Sequence, residues 1–172
     1  MKRTILVLLT TLLLSPVSLA QRRTRSTSTP AKPPAAETQR VAQVRTAGAT
    51  RVADQIKFLS KFIYLLGGAI SNISSVDESV SRNQASPEVA QQNQQAKTRV
   101  KGNITGFREA LDKLEIDFRA TPELQPYYIK LAGVASGAAT AEQQAGNNQF
   151  DAAGRSLLGV VNRLTDVLLA MR

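Results

Sequence analysis

The chain has 172 residues and a formal net charge of +9, with no cysteine, histidine or tryptophan. Those absences remove imidazole general bases, thiolate nucleophiles, His/Cys metal sites and histidine-ligated haem, and no disulfide can staple the fold. The length suits one domain with a sizeable core, provided the first residues are set apart as a leader.

Lys2 and Arg3 precede the apolar run Thr4–Leu14, Pro16 interrupts it, and Ser18-Leu19-Ala20 supplies small residues for a peptidase. That order is expected of a secretory signal over residues 1–20, cut after Ala20. The apolar run is about half of the roughly 20 residues a membrane span requires, and an uncleaved anchor is the alternative. Export then places the protein in a periplasm or outside the cell. The lack of disulfides in an oxidising location favours a bacterial over a eukaryotic setting.

Residues 21–40 form the expected linker, with five basic residues against the single acid Glu37. Pro30, Pro33 and Pro34 and the Ser/Thr run leave it without large apolar side chains, so it cannot bury enough surface to offset its chain entropy and should be disordered. Arg22, Arg23, Arg25 and Lys32 are the candidate contacts to an anionic surface such as lipid headgroups or envelope polymer. The alternative is a solvated spacer kept extended by its charges. No aromatic residue interleaves these charges, and residues 41–172 carry 15 basic against 12 acidic side chains. Nucleic acid is therefore not an expected partner.

From residue 41 onward, apolar residues recur at three- and four-residue steps. Val52, Ile56, Leu59, Ile63, Leu66, Ile70, Ile73, Val76 and Val80 form a heptad-like stripe, with Phe58, Phe62, Leu65 and Ala69 beside it. The two stripes together predict that this first helix is the most buried. Lys57, Lys61, Tyr64, Gly68 and Ser75 mark a narrow exposed face, and Val41, Val44 and Gly48 extend the pattern toward the linker.

Ser86-Pro87-Glu88 reads as a helix start: a capping hydroxyl, a proline whose missing donor is not needed, and an acid at the positive end. The second stripe is Val89, Ala96, Val100, Ile104, Phe107, Leu111, Leu114 and Phe118. Thr121-Pro122-Glu123 repeats the start signal for a third helix with Leu124, Tyr128, Leu131, Val134 or Ala135, Ala138 and Ala141 inward. Gly146-Asn147-Asn148 is expected to end it and cap a fourth, whose stripe is Phe150, Ala153, Leu157, Val160, Leu164, Val167 and Met171. No strand-like alternation occurs. Short connections make sequential helices antiparallel neighbours. The expected fold is all-α: an antiparallel up-down-up-down four-helix bundle over 41–172.

Two faces of small residues, Gly102–Gly106 and Gly133–Gly137 extended by Ala141, predict close helix packing. The alanine-rich third helix either packs very closely or is the mobile element. The polar run 91–99 belongs to a helix too long for its partners, so it is expected to project or to meet another copy.

The only carboxylate group of note is Glu109, Asp112, Glu115 and Asp117, of which three share a helix face. These acids read as a solvated face, since an acid catalyst needs burial or a like charge beside it. They also lack the turn glycine and ligand spacing of a calcium loop. A ferritin-like metal site needs Glu-x-x-His, which is absent. No phosphate-binding glycine motif is present. Asn72-Ile73-Ser74 and Asn103-Ile104-Thr105 match the glycan acceptor pattern, but both isoleucines sit on core stripes. Tyr127-Tyr128 is expected to close one end of the bundle.

No catalytic, cofactor-binding or metal-ligating residue is assigned, and no cofactor is expected. The expected function is an exported, non-catalytic helical bundle acting as an envelope or extracellular interaction or scaffold protein. Its partner would be a protein or an anionic envelope polymer. A membrane is a partner only if the signal is retained, and a homo-oligomer is compatible with the pattern. The alternative is a periplasmic binding module holding an apolar small ligand between Leu124 and Ala141. A carboxylate- or Ser/Lys-based enzyme ranks below both.

Overall fold

The computed structural model describes residues 35–172. The expected signal and the basic residues Arg22, Arg23, Arg25 and Lys32 lie outside the described residues. Five helices follow one another: α1 (Ala35–Ser81), α2 (Pro87–Ala120), α3 (Gln125–Leu131), α4 (Val134–Gly146) and α5 (Phe150–Ala170). There is no strand among the described residues.

Helix α1 takes in residues 35–40, the last six of the expected linker. Ala35 and Ala36 are strong helix formers, Glu37 sits in the first turn where an acid meets the helix dipole, and Arg40 pairs with Glu123 at 3.0 Å. Gly48 is where α1 meets the far end of the chain. A Cβ there would stand 2.8 Å from Leu124 Cδ2 and 3.1 Å from Met171 Cε, so any larger residue would have to displace these side-chain ends. Arg45 adds a hydrogen bond to the Met171 carbonyl at 3.2 Å and lies 5.8 Å above the Tyr127 ring.

The start of α2 follows its sequence signal. Ser86 is the N-cap, its hydroxyl accepts from the Val89 amide, and Pro87 opens the helix. The next signal is a turn instead: Thr121-Pro122-Glu123 closes through a Leu124 N–H to Thr121 carbonyl bond of 2.9 Å, and α3 starts only at Gln125.

The predicted third helix is broken in two at Ala132-Gly133. Gly133 has φ +88°, a left-handed conformation that glycine alone adopts without strain. The break re-aims the chain so that Leu131 before it and Val134 after it are both fully buried. Beyond it, α4 closes on α5: a Cβ on Gly137 would stand 2.9 Å from Val160 Cγ2, and Ala138 and Ala141 are solvent-free. The Gly133–Gly137 face thus packs tightly, as its small residues predict. Gly102 and Gly106 do not. Nothing lies within 4 Å of a Cβ built on either, and both face solvent. After α4 the chain reverses through Asn148, at φ 60°, whose amide bonds back to the Ala145 carbonyl at 2.9 Å.

The helices meet as α1 with α2 and α5, α4 with α2 and α5, and short α3 against α2 and α5. Along each long pair, numbers rise on one helix as they fall on the other. Asp77 meets Asn93 while Arg51 meets Asp117. Gly48 faces Met171 while Leu66 faces Gly154. Lys101 Nζ donates to the Gly146 carbonyl at 3.1 Å, while the Glu115 carboxylate accepts from the Ala135 amide at 2.7 Å. Ser156 bonds Gln144 while Val160 meets Gly137. One continuous core results, in which Val52, Leu59, Ile104, Leu111, Phe118, Leu131, Leu157 and Leu164 are among the sealed side chains.

Helix α1 departs most from expectation. It is long and apolar enough to cross a membrane by length and composition, yet only 17 % of its most apolar 18-residue window is buried in the fold. Its buried residues are Gly48, Val52, Leu59, Leu66 and Ile73, nearly a single heptad line. The second stripe stays at the edge instead of completing a fully buried helix.

Candidate functional site

The acidic group of α2 is drawn apart by the fold. Glu109 and Asp112 point to solvent, Asp117 pairs with Arg51, and Glu115 accepts from the Ala135 amide in the first turn of α4. Among the described residues no group of three or more acids, histidines or cysteines is placed to hold a metal ion. Asn72 and Asn103 are exposed, while Ile73 and Ile104 between the acceptor residues are buried. Tyr127 and Tyr128 are half-buried against the core at the Gly48–Met171 end.

Two polar clusters carry no signal of their own in the sequence. In the first, Asp77 Oδ1 accepts from Lys97 Nζ at 2.6 Å and from Asn93 Nδ2 at 2.7 Å. Asn93 and Lys97 are the only buried polar residues among those described. They occupy the gap between Val89 and Ala96 and the step before Val100, where the apolar stripe lapses. In the second, Glu142 on α4 accepts from the Thr105 hydroxyl at 2.7 Å, and its other oxygen lies 2.7 Å from Arg108 Nε. That last contact is an ion pair whose N–H is poorly aligned for a hydrogen bond. Both clusters join α2 to a neighbour and fix its register, a role buried polar groups are best known for.

The fold leaves one extended edge open, along α1 and α2. Phe62 and Phe107 close its floor, with ring centroids 5.1 Å apart and planes tilted by 56°. Above them Phe58 is 54 % exposed and Leu65 58 % exposed, one heptad apart on the outer side of α1. On the facing edge of α2, Ala110 has no side chain long enough to cover Phe58. A cleft of about 290 Å³ opens beside Phe58, lined by Arg51, Asp54, Gln55, Phe58, Ala110, Lys113 and Leu114. Asp54 and Lys61 lie on this same edge, exposed and without an ion-pair partner among the described residues. The α1–α2 pair is the longest in the molecule, yet it meets less extensively than α1 with α5, α2 with α4 or α4 with α5.

No protein-family model, curated protein or solved structure matches the chain.

Other surface clefts are present. One between α4 and α5 is lined by Gly133, Ser136, Gly137, Thr140, Ser156 and Arg163 among others. Another, beside Ile129 and Leu169, carries Lys130, Arg163 and Asp166. Exposed apolar side chains, an adjoining cleft and unpaired charges of both signs come together at the α1–α2 edge, as they also do beside Ile129 and Leu169. Such a combination suits a docked macromolecular surface better than a reacting small molecule.

Proposed function

We propose that this chain is an exported, non-catalytic helical protein that works by contact, as an envelope or extracellular interaction or scaffold protein. Its helices are taken to form an up-down-up-down four-helix bundle, supported by the four ladders of contacts that run in opposite senses. The observation that carries the functional reading is the exposure of Phe58 and Leu65 over a cleft at the α1–α2 edge. Solvating such side chains is unfavourable, at about 25 cal/mol per Å² of apolar surface left in water. A partner that covers them recovers that free energy. The basic segment with Arg22, Arg23, Arg25 and Lys32 is proposed to hold the folded part at an anionic surface. The apolar leader supports export to a periplasm or the exterior, bacterial rather than eukaryotic.

The test is retention of proteins or polymers from envelope extracts. Three immobilised forms are compared: the whole mature chain, a chain beginning at Thr38, and a whole chain carrying Leu65→Asp. Loss of a retained species on Leu65→Asp supports contact through α1. Loss on removal of residues before Thr38 supports contact through the basic segment. Retention of nothing by any form refutes the reading. Sequencing of the mature N-terminus tests export separately: Gln21 supports it and Met1 supports an anchor.

The alternative is a binding module holding an apolar small ligand between Leu124 and Ala141, where a cleft of about 370 Å³ opens beside Gly137 and Val160.

A further inference from the structure

We propose that the α1–α2 edge is a self-complementary dimerisation surface. Two copies pair α1 against α1 about a two-fold axis near Phe58. This goes beyond the contact function above and does not depend on it: it names the partner as a second copy and fixes the register.

The order of features along α1 carries the inference. Phe58 and Leu65 project from one edge, and the cleft bounded by Arg51, Asp54 and Phe58 opens on the other side of Phe58. Arg51 precedes Phe58 by the same heptad step by which Leu65 follows it, about 10.5 Å along the axis at 1.5 Å per residue. When two such helices run antiparallel through a two-fold at Phe58, each residue faces the one equally far on the opposite side. Leu65 of one copy then comes level with Arg51 of the other and enters its cleft, and the reverse contact forms by symmetry. This is the knob-and-hole relation an isologous interface requires.

The charges obey the same register. Asp54 and Lys61 are exposed, on the same outer edge as Phe58, and neither has an ion-pair partner within the chain's described residues. The antiparallel alignment puts Asp54 of one copy beside Lys61 of the other, twice over. A parallel alignment would put Asp54 beside Asp54 and Lys61 beside Lys61.

A stable interface hides about 800 Å² on each partner, more than Phe58 and Leu65 supply alone. The α2 edge must therefore take part. Ala110 there lines the cleft and is small enough to leave the second copy free to approach.

The test is the mass of the purified chain by equilibrium sedimentation from low to high micromolar concentration. The proposal expects twice the chain mass at the upper end. Asp54→Lys sets like charges against each other and raises the dissociation constant by roughly tenfold or more. Adding Lys61→Asp reverses both signs and restores association. Both side chains are exposed, so these variants keep the helical circular dichroism of the parent. Phe58→Asp abolishes the dimer. A parent that stays monomeric overturns the proposal, including one that is monomeric yet sediments with vesicles containing anionic phospholipid. It is equally overturned by an Asp54→Lys chain that associates as the parent does, or by a charge-reversed double variant that stays dissociated.

Discussion

Adding one methyl group at Gly137 sets two opposing effects against each other, and the packing decides the sign. Within a helix, alanine is favoured over glycine by about 1 kcal/mol. At Gly137, however, the new Cβ would stand 2.9 Å from Val160 Cγ2, and Val160 is 2 % exposed. That is about 0.6 Å inside the closest comfortable carbon–carbon separation. Overpacking of this kind costs about 1–3 kcal/mol. Gly137→Ala should therefore lower stability, by up to about 2 kcal/mol after the propensity gain is subtracted. Gly102→Ala is the control: nothing lies within 4 Å of its Cβ, so it should gain about 1 kcal/mol, or about 3 °C in Tm. Urea unfolding followed by far-ultraviolet circular dichroism measures both. Trimming the obstacle with Val160→Ala should make Gly137→Ala less harmful in that background than in the parent, a coupling a double-mutant cycle reads directly. If Gly137→Ala stabilises the protein as much as Gly102→Ala does, the close approach of α4 to α5 is refuted.

Other consequences follow from the same contacts. Asp77→Ala should cost about 1–3 kcal/mol in urea unfolding, because it strips the partner from the Lys97 ammonium, whose side chain is 11 % exposed. Lys97→Met, which removes the buried charge and keeps the chain length, should be nearly neutral; equal losses from the two would contradict a buried pair. Leu111→Ala and Leu164→Ala, at fully buried sites, should each cost about 3–5 kcal/mol, whereas Leu65→Ala should stay within about 0.5 kcal/mol in the monomer. The Glu88 carboxylate is held below its usual pKa by its own backbone amide and then by the Ser86 hydroxyl. Its contribution is thus present above the unfolded-state pKa and disappears as pH falls through the lower folded value. Glu88→Gln should flatten that part of the acid-side stability curve, and an unchanged curve would remove Glu88 from the cap.

The apolar stripes of α1, α2 and α5 were legible because a helix repeats its buried side every three to four residues, and Leu59, Ile104, Leu157 and Leu164 are buried as that repeat predicts. The start of α2 was legible because Ser86 and Pro87 act locally. Gly133 was different. A glycine inside a helical pattern reads equally well as a tolerated residue or a break, and the choice rests on Leu131 and Val134 both reaching the core. Thr121-Pro122-Glu123 misled for a related reason, since a turn and a helix start use the same residues. The exposure of Phe58 and Leu65 depends on what α2 places opposite them. Ala110 lies far along the chain, and no periodicity within α1 reveals that it is too small to cover Phe58. The Asp77–Lys97 pair is long-range in the same way.

The central claim, that the face bearing Leu65 is bare on the isolated fold and covered when the protein works, has a direct test. The chain lacks cysteine, so Leu65→Cys and Gly102→Cys can each carry a single thiol. Maleimide labelling rates are compared for purified protein at a concentration too low for association and for the same variant at its natural level in the cells that make it. Cysteine at position 65 should react readily in the dilute sample and be strongly protected in place, while cysteine at position 102 reacts in both. Equal, rapid labelling of position 65 in both settings would contradict the account.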